Sequence, residues 1–314
     1  MKCSVIITTY NGEKYIIQQL ESIKNQTYSP IEVIIADDVS SDETVEIIER
    51  YISDNNLNNA WKLIRNERNK GYIKNYIDAM NASTGEILFP CDQDDIWEKD
   101  KVEKMVKVVL ENDAEAVYCL DDYIGSEGEK IDNKIGYSNR IKTKKTVKLI
   151  NLRERLKTGR SPGLCLCFRR SILKDISEIC NEYSLPHDLP IGLVAAVHNN
   201  YYLLNEVLVH HRIHLSNASS PDMDISSSIN NQERQIKSRR IKGEEFRVID
   251  EKYASEISDS ERKKIHNAVL INERLIKALE KRNLFGFITS SIFANSYFNK
   301  LLLIRNMLYL IKAN

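Results

Sequence analysis

Between residues 4 and 90, short runs of unbroken apolar character alternate with stretches whose apolar residues recur every three or four positions. Ser4-Val-Ile-Ile-Thr-Thr9 is β-branched and continuous, as suits a strand buried on both faces of a parallel sheet. Tyr10-Asn11-Gly12 interrupts it, and over residues 13–25 the spacing of Ile16, Ile17, Leu20 and Ile23 predicts an amphipathic helix. Residues 32–36 read as a second strand, and Ser41-Asp-Glu-Thr44 as a helix start with acidic residues in its first turn. Residues 61–64, 72–81 and 86–90 continue as strand, helix and strand. That order predicts an α/β fold with a mainly parallel sheet and helices on both faces.

Beyond residue 100, Val102, Met105, Val106 and Val109 mark one face of a helix and residues 114–120 a further strand. Residues 121–160 are rich in Lys, Asp, Gly and Asn with little periodicity, which predicts loops and short elements. Strand character returns at 163–168 and 201–209. The polar stretch 216–231 reads as a linker, so the expected division is a domain over 1–218, a linker over 219–231 and a helical region over 232–314. Lys+Arg and Asp+Glu number 45 each, so no basic field marks a nucleic-acid partner. The six cysteines lie mostly inside apolar runs, and only Cys165 and Cys167 are close in sequence. Buried thiols and a reduced, cytoplasmic setting are expected rather than a zinc site. No secretory leader pattern and no membrane-spanning apolar run is seen.

The sharpest local feature is Cys91-Asp-Gln-Asp-Asp-Ile-Trp97, three carboxylates within four residues at the end of a predicted strand. Like charges so close repel, and a divalent cation resolves the conflict; oxygen ligands favour Mg²⁺ or Mn²⁺. A solvated acidic turn accounts for the same spacing. Position favours the ligand site, because open α/β sheets bind ligands outside the carboxyl ends of their strands, where Tyr10-Asn11 and Asp37-Asp38 also fall.

Taken in order, Ser4–Thr9 with Tyr10-Asn-Gly-Glu13, Gln26-Thr-Tyr28, Ala36-Asp-Asp38 with Ser40-Ser-Asp-Glu-Thr44, Asn69-Lys-Gly71 and Asp92-Gln-Asp-Asp-Ile-Trp97 resemble glycosyltransferase family 2. Within that family the chain is similar to rhamnosyltransferase-like bacterial enzymes of surface-polysaccharide synthesis. The likeness continues through Gly163-Leu-Cys-Leu-Cys167, His187-Asp188 and Arg212-Ile-His-Leu-Ser-Asn217, covering about the first 218 residues. It implies a GT-A fold, with a nucleotide-sugar-binding half over 1–100 and an acceptor half over 101–218. It further implies inverting transfer of a hexose or deoxyhexose, such as rhamnose, from a UDP- or dTDP-sugar donor to a saccharide or lipid-linked glycan acceptor.

By the same resemblance, Thr8 and Tyr10 line the nucleobase pocket and Asp38 accepts the base imide N–H. Asn11, Glu13, Lys74, Asp92, Gln93 and Arg212 contact the nucleotide sugar. Asp94, Asp92 and His214 hold the metal, while Trp97 and His187 lie beside the acceptor. Asp188 is the general base that takes the acceptor hydroxyl proton. Two positions depart from the family pattern: Val39 stands where glycine is common, and Leu189-Pro190 replaces aromatic residues after His-Asp. A sugar-phosphate nucleotidyltransferase would need a Gly-rich phosphate loop after the first strand, which Tyr10-Asn-Gly-Glu13 does not supply. A catalytically silent glycan-binding subunit is the other alternative. Residues 283–314 are apolar, aromatic and basic, with no acidic side chain, which fits an interfacial helix at the inner face of a membrane, a homodimer contact or helices packed on their own domain.

Overall fold

The computed structural model describes residues 1–131, 143–159, 161–214, 232–294, 297–298 and 300–313, so the expected linker lies outside the described residues. The chain divides into two compact units, Met1–Ile150 with Arg160–Asn217, and Asn151–Gly159 with Ala218–Asn314.

In the first unit, β1 (Cys3–Thr9), β2 (Ile31–Asp37), β3 (Trp61–Arg65) and β4 (Ile87–Cys91) run parallel in the order β3-β2-β1-β4. Helices α1 (Ile16–Lys24), α2 (Thr44–Asp54) and α3 (Tyr72–Ala82) connect them. The remaining elements are β5 (Ile96–Trp97), α4 (Lys101–Asn112), β6 (Ala116–Ile124), β7 (Val147–Leu149), β8 (Leu166–Arg169), α6 (Leu173–Tyr183), α7 (Asp188–Val197) and β9 (Tyr201–Arg212). The sheet continues through β8, β6, β9 and β5; β8 is antiparallel to both its neighbours, β6 and β9 are parallel, and β5 and β7 each pair antiparallel with β9.

β1 is hydrogen-bonded on both sides, and Val5, Ile6 and Ile7 are fully buried, which is why its sequence is apolar without alternation. Ile16, Leu20 and Ile23 of α1 and Val102, Met105, Val106 and Val109 of α4 bury their helical stripes in the core. Each such side chain contributes about 1.5–3 kcal/mol. Register decides where function can sit. Thr9 is level with Asp37 and Ile7 with Cys91, so the chain leaves β1, β2 and β4 along one edge of the sheet.

Three elements differ in extent from the sequence expectation. The predicted helix over 13–25 starts at Ile16, because residues just before it form turns in which the Tyr15 and Ile16 amides donate to the Gly12 carbonyl. β6 continues to Ile124 through the expected loop, and β9 continues to Arg212, because Asp121-Asp122-Tyr123 pairs with Val209-His210-His211. All six cysteines are buried free thiols.

The second unit contains α5 (Leu152–Thr158), α8 (Gln232–Lys252), α9 (Asp259–Glu280), α10 (Leu284–Ile292) and α11 (Lys300–Ala313). α5 falls within the stretch assigned from sequence to the catalytic domain, but belongs with the helical unit. Arg155 on α5 pairs with Glu245 on α8 at 3.0 Å. Lys242 reaches the other Glu245 oxygen at 2.9 Å and the Leu156 carbonyl at 2.7 Å. Burial opposes a charge on Glu245, but Lys242 and Arg155 outweigh it and lower its pKa. No described helix is long and apolar enough to cross a membrane. Removing one partner of a buried ion pair leaves the others desolvated and uncompensated, so Glu245→Gln should cost about 3–5 kcal/mol of the helical unit's stability in urea unfolding. A loss below about 1 kcal/mol would mean the pair contributes little.

Candidate active site

Loops at the carboxyl edge are sewn together through backbone groups. Asp37 accepts from Thr9 Oγ1 at 2.9 Å and from the Ser40 amide at 2.9 Å, closing the turn after β2. Asn11, in a left-handed conformation at φ 49°, accepts from the Ser41 amide at 2.8 Å, and the Gly12 amide donates to Thr44 Oγ1 at 2.7 Å. Glu13 accepts from the Glu43 amide at 2.9 Å. Gln93 clasps Tyr10, accepting from its amide at 3.0 Å and donating to its carbonyl at 3.1 Å. A Cβ on Gly12 would lie 2.3 Å from Gln93 Oε1, so the clasp requires the absent side chain. The Tyr10 ring is 52% exposed, a platform held by its backbone. Thr8 is half-buried beside it. Val39 sits at φ 69°, strained for a β-branched residue and explaining why glycine suits that position.

Asn11, Glu13 and Gln93 thus spend their side chains on bracing this loop edge. Asp38 is buried and accepts from Asn66 Nδ2 at 2.9 Å and from the Lys70 and Gly71 amides at 2.8 Å each, fixing the 69–71 loop. A carboxylate accepts about four hydrogen bonds, so at most about one is left for a ligand. Lys74 is exposed on α3 and pairs with Asp78 at 3.1 Å.

Past β4 the three carboxylates diverge. Asp92 Oδ1 lies 2.7 Å from the Tyr76 hydroxyl, whose ring packs 3.9 Å from that of His187. Burial, then Asp94, raises the Asp92 pKa. Gly163 admits His187: a Cβ there would stand 2.7 Å from Nε2. His187 and Asp188 are buried at the start of α7, with Asp188 in its first turn. Asp94 Oδ2 meets His214 Nε2 at 2.8 Å. Asp95 is fully buried and accepts from the Arg212 amide at 2.9 Å; burial raises its pKa strongly.

Two residues expected at the site, Arg212 and Trp97, are buried. Arg212 is fully buried, its guanidinium donating to the carbonyls of Asp94 (2.8 Å), Gly125 (3.1 Å) and Ser126 (3.1 Å) and to Gln18 Oε1 (2.5 Å). It braces the carboxylate loop rather than presenting a fork to phosphate. Trp97 is in the core, packed against Phe89, with the buried Lys101 ammonium 3.3 Å from its ring centroid, so it offers no face to an acceptor.

A model of the family described as Glycosyl transferase family 2 matches residues 4–177, from β1 into α6. This chain belongs to glycosyl transferase family 2. An uncharacterized glycosyltransferase of Nostoc sp. is 27% identical over 222 residues, 69% of this chain and 66% of that protein. The poly(ribitol-phosphate) β-N-acetylglucosaminyltransferase TarS of Staphylococcus aureus is 33% identical over 119 residues, 37% of this chain and 20% of TarS. The chain spans about one third to two thirds of the length of the first curated relatives it matches. Among solved structures, residues 1–349 of TarS with UDP-GlcNAc superpose with a TM-score of 0.59 at 20% identity, covering 100% of this chain and 91% of that one. A mannosyltransferase of Pyrobaculum calidifontis, with GDP-Man and Mn²⁺, gives 0.54 at 17% identity, covering 99% and 87%. These likenesses extend the GT-A fold to the chain.

For this family 2 member, the test of a metal is its donor set. Asp94 and His214 offer an oxygen and a nitrogen side by side, and among the described residues no three ligating side chains form a complete cage. Two protein ligands completed by water and phosphate oxygens suit a cation carried with a diphosphate, so the residues fit one.

Sequence reasoning counted Asp95 among the three carboxylates without giving it a role, read His211 as an ordinary strand histidine and assigned nothing to Asp121. His211 Nδ1 stands 3.6 Å from Asp121 Oδ2, and neither Asp121 oxygen has a hydrogen-bond partner among the described residues. The available signal was a strand ending in Asp-Asp, as β2 and its following turn also do. His210 faces elsewhere, between Asp122 at 2.5 Å and Glu98 at 3.0 Å. Burial disfavours charge on His211, but Asp95, Asp121 and Asp92 outweigh it and push the ring up to about 9 from 6.5. A raised folded pKa gives stability that is complete below 6.5 and lost as pH rises through 9. Melting temperature should therefore fall between those values in the intact protein, and His211→Gln should flatten that segment of the profile. Superimposable slopes would show that the ring does not gain its proton on folding.

Proposed function

We propose that the chain is an inverting glycosyltransferase moving a hexose or deoxyhexose from a UDP- or dTDP-sugar to a hydroxyl of a surface saccharide or lipid-linked glycan. The observation carrying this reading is the Asp94–His214 pair at the same sheet edge as the exposed Tyr10 platform. Base stacking and diphosphate capture need those two features together. The TarS complex with UDP-GlcNAc favours uridine as the first base to try.

In this reading the Tyr10 ring packs on the base, Thr8 lines its pocket and Asp38 uses its remaining acceptor position for the imide N–H. Asp94 and His214 hold Mg²⁺ or Mn²⁺, with Asp92 alongside. The metal, when bound, offsets the charge that develops on the departing diphosphate. Asp188 takes the proton from the acceptor hydroxyl, and His187, packed at a tilt against Tyr76, fixes the start of α7, whose first turn carries Asp188. One displacement on the anomeric carbon inverts its configuration. Lys74 is available to the nucleotide only by leaving Asp78.

Calorimetric titration with UDP and dTDP, with and without Mn²⁺, tests the donor site: metal-dependent binding is expected, lost in Asp94→Ala. Absence of nucleotide binding under every metal condition would overturn the reading. Asp188→Asn should leave UDP affinity unchanged while slowing release of UDP from the sugar nucleotide by a factor on the order of 10²–10⁴. An undiminished rate would remove Asp188 from catalysis. Metal-dependent binding with no turnover of any sugar nucleotide would instead favour the silent binding subunit.

A further inference from the structure

The last two helices carry apolar side chains on their outward faces. In α11 the fully buried position is Asn306, whose amide accepts from Arg239 Nε at 3.0 Å and donates to Gln235 Oε1 at 2.6 Å; Leu310 is buried one turn further on. The outward positions are Ile304, Leu308 and Ile311, spaced four and three residues apart, each roughly half exposed. On α10, Phe285, Ile288 and Ile292 form a second outward stripe at three- and four-residue spacing, and Phe293 follows it. Phe285 is 78% exposed and Ile292 73%. A water-facing helix places its apolar residues the other way round. Seven large apolar side chains on two helices that pack together exceed the scattered exposure normal for a soluble surface.

We propose that this face of α10 and α11 docks on an anionic phospholipid surface. Charge selects the occupant. From residue 283 to 314 the charged residues are Lys300, Arg305 and Lys312, all positive, and α10 carries none. A symmetric contact with a second copy would bring together two segments whose charges are all positive. An anionic leaflet complements them, each basic residue near the surface adding attraction that salt weakens. With 9 and 14 residues the helices are too short to span, so they lie in the interfacial plane with Phe285, Ile292 and Phe293 entering the acyl boundary. Nothing in this placement draws on the catalytic residues, so it stands whether or not the transferase reading holds.

The test is co-sedimentation of the full chain with vesicles of phosphatidylcholine alone and of equal parts phosphatidylcholine and phosphatidylglycerol, beside the triple variant Phe285→Ser, Ile292→Ser, Phe293→Ser. These side chains are exposed, so the variant should keep its melting temperature. The expected result is binding to the anionic vesicles that declines with added salt and falls by a factor on the order of 100 in the triple variant. Equal sedimentation of intact and variant chains would overturn the proposal. So would an absence of vesicle binding combined with a dimer in sedimentation velocity that the triple variant abolishes, since a second copy would then cover the face.

Discussion

Asp92, Asp94, Asp95 and Asp121 bring four carboxylates to the ends of two strands of one sheet, three of them in a single turn after β4 and two of them with no exposure to water. Repulsion and desolvation act together on such a group, and each neighbouring feature addresses one part of it. Arg212 gives Asp95 its backbone N–H and grips the Asp94 carbonyl with its guanidinium, so β9 holds the turn in shape without neutralising it. Asp95, Asp121 and Asp92 favour the protonated form of His211, and Tyr76 supplies a hydroxyl to Asp92. Asp94 is joined to His214 at the mouth of the group. The side chain best placed to take a cation is therefore the one the fold leaves nearest the surface of the cluster.

The loop edge around Tyr10 is built on another principle. Its polar side chains are spent on one another's backbones: Asn11 on Ser41, Glu13 on Glu43, Gln93 on Tyr10, Asp38 on the 69–71 loop. Locking irregular backbone this way lowers the ordering cost of binding, because the loops do not have to be fixed by the ligand. It also accounts for strain at Val39, which persists because Asp37 and Ser40 hold the turn on either side of it.

What the sequence could disclose followed from periodicity and from order. The apolar run at Ser4–Thr9, the helical spacing of Ile16, Leu20 and Ile23, and the carboxylates at a strand end are local patterns, and they located the sheet edge that carries the site. The burial of Arg212 and Trp97 was not legible because burial is not local. An arginine in a motif has the same spelling whether its guanidinium faces phosphate or four protein oxygens, and only the arrival of Gly125, Ser126 and Gln18 from distant segments decides it. Likewise, β6 runs through Asp121 and Asp122 against their low strand preference because β9 presents Val209 and His210 opposite, a cross-strand match separated by some ninety positions.

The committed state of Arg212 shifts where charge compensation for a diphosphate has to come from. An arginine fork could have clamped two phosphate oxygens without any metal. With that fork bound to carbonyls, and Lys74 paired to Asp78, neither of the two cations assigned from sequence to the nucleotide sugar is free to meet a phosphate. The carboxylates at the same edge would repel one. A divalent ion, were it held by Asp94 and His214, would reverse the local sign with a single particle, offsetting carboxylate and phosphate together. On the proposed reading, a requirement for metal would follow from how β9 is packed, since Arg212, which could have met a phosphate in its place, holds the carboxylate loop.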